Sequence, residues 1–141
     1  MAEPITEGLF CVDADGSLTL VGGYSPSSGL HHFPRSPVCP YTGADDVREV
    51  DLPRVGALWG WTTVTGAPPG YPGEVPYGMG VVELATGGGP LRVVGRLVGV
   101  APDAADASWF GTPMEVVAEE VADGDGGTVL TWAFAPDGAA T

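Results

Sequence analysis

Apolar and polar residues alternate in short runs from residue 54 onward. An alternation of period two is typical of a β-strand with one face in a core, and runs of this kind predict five strands. The predicted strands are Val55–Thr65, Tyr77–Leu84, Leu91–Val100, Met114–Val121 and Thr128–Phe134. Glycine-rich segments at residues 87–89 and 123–127 separate two pairs of neighbouring strands and favour hairpin turns.

The connection between the third and fourth strands differs from the others. Residues 102–108 are polar and contain several alanines, and they predict one or two helical turns with Asp103 in the first turn. Three strands, a short helical connection and two more strands is the order of the five-stranded OB barrel. The evenly spaced strand pattern otherwise permits a generic sandwich or barrel. The predicted fold is all-β, with an OB barrel over residues 54–136 and a tail over residues 137–141.

Two further apolar runs lie near the N-terminus. Leu9–Val12 and Ser17–Val21 flank Asp13–Gly16, whose Asp-Gly step favours a tight turn, and this predicts an N-terminal hairpin within residues 1–21. Residues 22–53 show neither the helical nor the strand period. We expect this segment to be a compact loop module that something other than regular strand pairing holds together.

The alternation also assigns side chains to the two faces of each strand. The positions expected to face the core are Leu91, Val93, Leu97, Leu130, Trp132 and Phe134. The positions expected to share one side of their strand are Trp59, Trp61 and Thr63 in the first strand and Tyr77, Met79, Val81 and Glu83 in the second. Arg92 and Arg96 project outward in this scheme. Because four tryptophans are more than so small a core needs, we expect Trp59, Trp61 or Trp109 to lie on a partner or ligand surface.

The charge is strongly one-sided. The chain has 18 acidic residues against five basic ones, and its net charge is −13. Phosphate backbones and anionic lipids repel such a chain, which excludes nucleic-acid and membrane-surface roles. The sequence shows no signal peptide and no apolar run long enough for a spanning helix, so we expect a cytoplasmic protein. In that compartment Cys11 and Cys39 are expected to be buried free thiols rather than a disulfide.

The module over residues 22–53 resembles a known pattern. Ser25–Gly29, Phe33–Pro40 and Tyr41–Gly43 keep the spacing of the rubredoxin-like zinc ribbon in the acyl-CoA-associated family of zinc-ribbon plus OB-fold proteins, the domain-of-unknown-function-35 family. The barrel strands resemble that family as well, and the matching segments are Gly56–Thr62, Pro76–Leu84 and Phe110–Val116. The resemblance implies a ribbon followed by an OB barrel.

The metal ligands of that ribbon are largely replaced. The family places cysteine at four positions, which are occupied here by Ser25, Ser28, Cys39 and Thr42. Structural zinc needs four thiolate or imidazole ligands, and neutral hydroxyls are weak ligands for it. We therefore expect a degenerate ribbon without metal that side-chain hydrogen bonds and proline turns hold in shape.

The resemblance implies an auxiliary role. Relatives are non-catalytic subunits that dock onto thiolase-like enzymes or lipid-transfer-type aldolases and acyltransferases and help to form the acyl-CoA channel, in lipid, steroid side-chain or polyketide metabolism. The expected partners are a thiolase-like catalytic subunit and an acyl-CoA ligand, with no cofactor bound tightly. One alternative is a free-standing carrier that binds acyl-CoA in its own barrel, and another is a small enzyme that uses Cys39 and His32.

Six residues are candidates for a CoA-binding or partner-binding surface. They are Phe33, Arg35, Arg54, Trp61, Tyr77 and Met79. Arg92 and Arg96, about 13 Å apart along one strand, could bind the phosphates of an acyl-CoA or pair with nearby carboxylates. Because the whole chain is acidic, we expect a partner protein to supply much of any phosphate contact. No set of residues in the sequence predicts a catalytic site.

Overall fold

Ten strands and one short 3₁₀ turn form the computed structural model, which describes residues 2–101 and 106–137. The N-terminal strands are β1 (Glu3–Pro4), β2 (Phe10–Val12), β3 (Leu18–Ser25), β4 (Leu30–His32) and β5 (Arg48–Asp51). The later strands are β6 (Val55–Val64), β7 (Tyr77–Thr86), β8 (Gly89–Leu97), β9 (Pro113–Ala122) and β10 (Thr128–Pro136). No helix in these described ranges is long and apolar enough to cross a membrane.

Strands β6 to β10 close into a five-stranded barrel. The hydrogen-bonded order is β10, β8, β7, β6 and β9, and β9 pairs again with β10 to close the ring. All of these pairs are antiparallel except β8 with β10. This arrangement confirms the predicted all-β fold with an OB barrel. The two residues of β1 extend the sheet by pairing in parallel with β10.

The connection before β9 is only partly described. Its predicted helical turns fall on residues 102–108, of which 102–105 lie outside the described residues. Residues Ala107–Trp109 form a single 3₁₀ turn, and the side chain of Asp106 caps it by accepting from the amide of Ser108.

Apolar side chains from all five strands fill the barrel. Those buried in its core are Leu58, Val82, Leu84, Leu91, Val93, Leu97, Met114, Val116, Leu130 and Phe134. Trp132 packs against this core, so each position that the strand alternation assigned to the interior is confirmed. Arg92 and Arg96 project from the outer side of β8, as predicted.

A β-bulge changes the faces of β6. Leu58 pairs with Val82 and Gly60 pairs with Val81, which leaves Trp59 as an extra residue between them. Beyond the bulge Trp61 lies opposite the buried Gly80 and packs against the core, whereas the Trp59 side chain is 48% exposed. The expected shared side for Trp59 and Trp61 is therefore wrong, because the alternation shifts by one residue at the bulge.

The N-terminal hairpin is confirmed, but its second strand extends further than expected. β2 pairs with β3 across a turn in which the amide of Gly16 donates to the carbonyl of Asp13. β3 continues past the boundary predicted at residue 21 and pairs with both β4 and β5. The expectation that residues 22–53 lack regular strand pairing is wrong.

Two glycines explain why this part of β3 carries no strand pattern in the sequence. The side chain of His32 is 2% exposed and occupies the space beside β3. A Cβ atom at Gly22 would lie 2.7 Å from the carbonyl oxygen of His32, and one at Gly23 would meet its imidazole ring. The packing therefore requires glycine at positions where an ordinary strand would alternate apolar and polar residues.

The small N-terminal sheet and the barrel share one core. Leu18, Leu20 and Leu52 belong to the same buried cluster as the barrel side chains. Phe33 meets the ring of Trp132 edge to face, with 5.3 Å between ring centroids. At the β7–β8 hairpin, a Cβ atom on Gly88 would collide with the carbonyl oxygen of Gly29, so this hairpin lies directly against the small sheet.

Both cysteines are free thiols, as expected. Cys39 is buried, but Cys11 is exposed, and the expectation of two buried thiols is wrong for Cys11. The alternation along β2 turns Phe10 inward, and Cys11 consequently faces the solvent.

The contact between Gly23 and His32 gives a stability prediction. Gly23→Ala should lower the free energy of unfolding by about 1–3 kcal/mol, because the added methyl group overpacks a buried ring. Urea unfolding of the variant and the wild type would measure this difference. Gly66→Ala is the control, since a Cβ atom there meets nothing within 4 Å. Equal unfolding midpoints for the two variants would contradict the packing.

Candidate functional site

Two tight turns face each other at the end of the small sheet. In the first, the amide of Gly29 donates to the carbonyl of Ser25 at 2.8 Å, and in the second, the amide of Gly43 donates to the carbonyl of Cys39 at 2.8 Å. Both glycines have positive φ, 69° at Gly29 and 77° at Gly43, which favours glycine. The turns bring the side chains at positions 25, 28, 39 and 42 together.

Hydrogen bonds connect the hydroxyl groups of this cluster. Ser25 Oγ donates to Asp46 Oδ1 at 2.6 Å and lies 3.0 Å from Ser28 Oγ. Ser28 Oγ lies 2.6 Å from Thr42 Oγ1, and the amide of Ser27 donates to Asp46 Oδ2 at 2.8 Å. We call Ser25, Ser28, Cys39, Thr42 and Asp46 the hydroxyl cluster. Its geometry agrees with the expectation that side-chain hydrogen bonds hold this module in shape.

The hydroxyl cluster lowers the pKa of both of its acidic groups. The hydroxyl of Thr42 has the largest effect on the thiol of Cys39 and lowers its pKa, with help from backbone amides and from Ser28. The hydroxyl of Ser25, followed by the amide of Ser27, lowers the pKa of Asp46. In both cases donated hydrogen bonds stabilise the charged form.

The hydroxyl cluster does not fit a zinc ion. It offers one thiol, and its other positions near that thiol carry hydroxyl groups that stay neutral at physiological pH. Within residues 2–101 and 106–137, no three or more His, Cys, Asp or Glu side chains come together as a set that could hold a metal. The hydroxyl cluster therefore lacks the set of ligands that a zinc ion needs.

Cys39 and His32 have separate partners. His32 Nε2 accepts from the amide of Ser36 at 3.1 Å, and its Nδ1 is buried without a hydrogen-bond partner. Cys39 interacts instead with Thr42 and Ser28. A catalytic thiol needs a base within hydrogen-bond reach, and the base proposed for Cys39 is occupied elsewhere.

Three of the six candidate surface residues lie apart from one another. Phe33 is partly buried and joins the small sheet to the barrel through Trp132. Arg35 forms an ion pair with Glu49 at 3.4 Å. Arg54 lies near the N-terminal hairpin, where its Nη2 donates to Asp13 Oδ2 at 2.9 Å and its Nε donates to Thr19 at 3.0 Å. These three residues therefore do not form one common surface site.

Two of the other three candidates, Trp61 and Met79, line one surface groove on the barrel. The groove has a volume of about 270 Å³ and crosses β6, β7 and β8. Its lining residues are Gly60, Trp61, Thr62, Met79, Gly80, Val81 and Val94. We call it the Gly60 groove. Tyr77 lies on β7, on the same side as Met79, and Val94 is 53% exposed at the β8 wall.

Arg92 and Arg96 lie on either side of Val94 on β8. Arg92 stacks over the ring of Trp59 at 4.1 Å and pairs with Glu83 at 3.0 Å. Arg96 lies 4.8 Å from the ring centroid of Tyr77 and pairs with Glu119 at 2.7 Å. Both guanidinium groups therefore have a carboxylate partner and an aromatic neighbour. Of the two roles that the sequence left open, phosphate binding and pairing with nearby carboxylates, the structure shows the pairing.

The sequence did not single out Gly60, Val94 or Glu119 as parts of this surface. A period of two places Gly60 on the face opposite Trp59 and Trp61, and it does not reveal the bulge. The pairing of Arg96 with Glu119 joins residues 23 positions apart in the chain. The signal that could have found Gly60 is a glycine in the middle of a ten-residue strand.

The hydrogen bonds to Asp46 give a pH-dependence prediction. Because its pKa is lowered in the folded state, Asp46 stabilises the protein fully above about pH 3.8, the ordinary value, and this contribution is lost as the pH falls through the lower folded pKa. Asp46→Asn should therefore unfold at lower urea concentration than the wild type at pH 7, with a gap that narrows in acid. Asp45→Asn, at the exposed neighbouring position, is the control. A gap that is constant from pH 7 to pH 3 would contradict the assignment.

Restoring thiols gives a second prediction for the hydroxyl cluster. The combined variant Ser25→Cys, Ser28→Cys and Thr42→Cys should retain about one zinc ion per chain, because the two turns already bring these positions to Cys39. Elemental analysis after gel filtration would measure the metal.

The control for that variant places a cysteine at Ser27 instead of Ser28. Ser27 is exposed, so this chain has the same number of thiols but should retain less zinc. Stoichiometric zinc in the wild type, or a folded triple variant that retains none, would contradict the geometry of the cluster.

Comparisons with known proteins agree with this architecture. The family model of the ChsH2 C-terminal OB-fold domain matches residues 49–119. The chain is 29% identical to a DUF35 domain-containing scaffold protein of Pyrococcus furiosus over 119 residues, which are 83% of this chain and 82% of the relative. A scaffold protein of the same description from Methanocaldococcus jannaschii is 26% identical over 117 residues, 82% and 78% of the two chains.

A solved structure is also similar. A chain of the Ltp2-ChsH2(DUF35) aldolase superposes with a TM-score of 0.63 and 27% sequence identity, and the match covers 84% of each chain. The closed five-stranded barrel and the matched family model lead to the same assignment. The chain belongs to the DUF35 OB-fold family, represented by the C-terminal OB-fold domain of ChsH2.

Proposed function

We propose that this protein is a non-catalytic auxiliary subunit of an aldolase complex. The observation that carries the proposal is the similarity to a chain of the Ltp2-ChsH2(DUF35) aldolase, which extends over 84% of both chains at 27% identity. Two relatives described as scaffold proteins, similar over most of their length, support a role in assembly. The catalytic partner in this proposal is an Ltp2-type, thiolase-like subunit that acts on acyl-CoA thioesters.

The side chains of this chain support a division of labour in which the partner carries the chemistry. Cys39 is buried in the hydroxyl cluster, and the imidazole of His32 is bonded to the amide of Ser36. Acyl-group chemistry needs a nucleophile or a base that can reach the substrate. In the proposed complex the reacting groups therefore belong to the Ltp2-type subunit.

Phosphate binding in the complex is also assigned to the partner. In the described part of the chain, four of the five arginines form ion pairs with carboxylates, and they are Arg35, Arg54, Arg92 and Arg96. An arginine that is already paired must give up its carboxylate to bind a phosphate, and a chain of net charge −13 repels CoA as a whole. What this chain contributes to an acyl channel is apolar wall rather than a phosphate site.

The filled barrel argues against the free-standing carrier. Ligand sites for molecules of this size are usually cavities of about 300–1,000 Å³ that bury most of the ligand. Here the barrel interior holds packed side chains such as Leu58, Met114 and Phe134. A carrier would need a different site, and the filled barrel supports the part of the proposal in which acyl-CoA binds at a surface shared with the partner.

Co-expression with the Ltp2-type subunit of the same cell tests the proposal. The two chains should co-elute in gel filtration, and cleavage of an acyl-CoA aldol substrate should require both of them. Cys39→Ser should leave the activity of the complex unchanged, because the thiol is assigned no catalytic step. Each chain assayed alone is the matched control and should show no cleavage of the substrate.

Two results would contradict the proposal. The first is the carrier outcome. In it, isothermal titration shows that the isolated chain binds acyl-CoA with micromolar affinity, and no Ltp2-type subunit binds the chain. The second is aldolase activity in the isolated chain that alkylation of Cys39 abolishes, which is the small-enzyme outcome.

A further inference from the structure

The outer face of β6, β7 and β8 is arranged in rows across the strands. One row consists of Thr62, Met79 and Arg96, and the next consists of Gly60, Val81 and Val94. This second row is apolar on β7 and β8, and on β6 it has no side chain because the residue there is Gly60. The missing side chain at Gly60 forms the floor of the Gly60 groove.

Gly60 directly follows the extra residue of the β-bulge, but in the described part of the chain neither its backbone angle nor its packing requires glycine. A Cβ atom at Gly60 would meet no other atom within 4 Å, and Gly60 is not among the glycines with positive φ. Glycine inside a strand is less favourable than alanine, because it loses more conformational freedom on folding. A glycine that neither the backbone nor the packing requires indicates close approach by another molecule, which is a known use of glycine in strands.

Each end of the groove carries an arginine that already has a carboxylate partner and an aromatic neighbour. Trp59, Arg92 and Glu83 form one contact group, and Arg96 is held by Tyr77, Glu119 and the hydroxyl of Tyr71 at 2.9 Å. Tryptophan, tyrosine, methionine and arginine are enriched at protein interfaces. Side chains that are already ordered lose little conformational entropy when a partner binds.

Charge decides which molecule can cover the groove. A second copy of this chain would bring another 13 negative charges to the same surface, and like charges across an interface oppose association. An acyl-CoA is anionic and would find both neighbouring arginines paired with Glu83 and Glu119. A different protein with a basic surface complements an acidic chain.

We infer that the Gly60 groove is the docking surface for the catalytic subunit. The partner inserts an apolar side chain over Gly60, between Val81 and Val94, and it surrounds that side chain with lysine or arginine residues. The inference rests on the proposed function for the existence of the partner, but it assigns the contact to one face of the barrel.

Gly60→Val tests the inference by filling the groove. Valine suits a strand, and a Cβ atom at this position meets nothing within 4 Å in the free chain, so the unfolding midpoint should stay the same or rise. Binding to the purified Ltp2-type subunit from the same cell, measured by biolayer interferometry, should weaken by about tenfold or more. The wild-type affinity should also fall as the salt concentration rises.

Two further variants complete the test. Gly66→Val is the matched control, because its Cβ position is equally open but lies outside the groove, and it should bind like the wild type. Val94→Ser removes an exposed apolar wall without adding bulk and should also weaken binding. It keeps the test valid if Gly60→Val unfolds.

The outcomes separate this inference from the proposed function. If the wild type does not bind the Ltp2-type subunit, the proposed function fails. If the wild type binds it and both groove variants bind equally well, the function stands and the docking surface is wrong. If sedimentation shows a wild-type dimer that Gly60→Val dissociates, a second copy covers the groove. If calorimetry shows acyl-CoA binding that the same change abolishes, a ligand covers it. Either result overturns the inference.

Discussion

The structure depends on one apolar core that serves two sheets. Leu18, Leu20 and Leu52 come from the N-terminal sheet, and they are buried in the same cluster as Leu58 and Phe134 of the barrel. A sheet of short strands buries too little apolar surface to be stable alone. Because β3 provides both the core contacts and the strand to which β4 and β5 pair, the turns that carry the hydroxyl cluster are fixed relative to the barrel.

This dependence explains how the module keeps its shape without metal ligands. In a zinc ribbon the metal supplies much of the folding energy. Here the buried His32 fills the space that Gly22 and Gly23 leave open, and Phe33 contacts Trp132 at the barrel. The hydrogen bonds of Ser25 to its neighbours then need only to position two short turns. The same rigidity is what an auxiliary subunit needs in order to present a fixed surface to its partner.

The strand alternation was sufficient to predict the five barrel strands, because each has one buried and one outward face. The OB barrel itself was predicted from the order of the elements and from the family resemblance. The alternation failed at Trp59, where one extra residue reverses the faces, and at Gly22 and Gly23, where packing removes the side chains that would carry the pattern. The spacing of Ser25 and Cys39 identified counterparts of the ribbon's ligand positions, and the folded chain brings these side chains into one cluster. The pairing of Arg96 with Glu119 joins distant strands, so only the folded chain shows it. The groove at Gly60 exists because this residue has no side chain, and the alternation of apolar and polar residues does not indicate such a groove.

We infer that the shared core and the hydroxyl cluster hold the module in shape and that a metal does not. Hydrogen–deuterium exchange of the backbone amides tests it most directly, with one sample treated with a strong chelator and one incubated with excess zinc. The amides of Gly29 and Gly43, which close the two turns, should exchange slowly and at the same rate in both samples. Loss of protection at these amides after chelation, with the barrel amides still protected, would contradict the account.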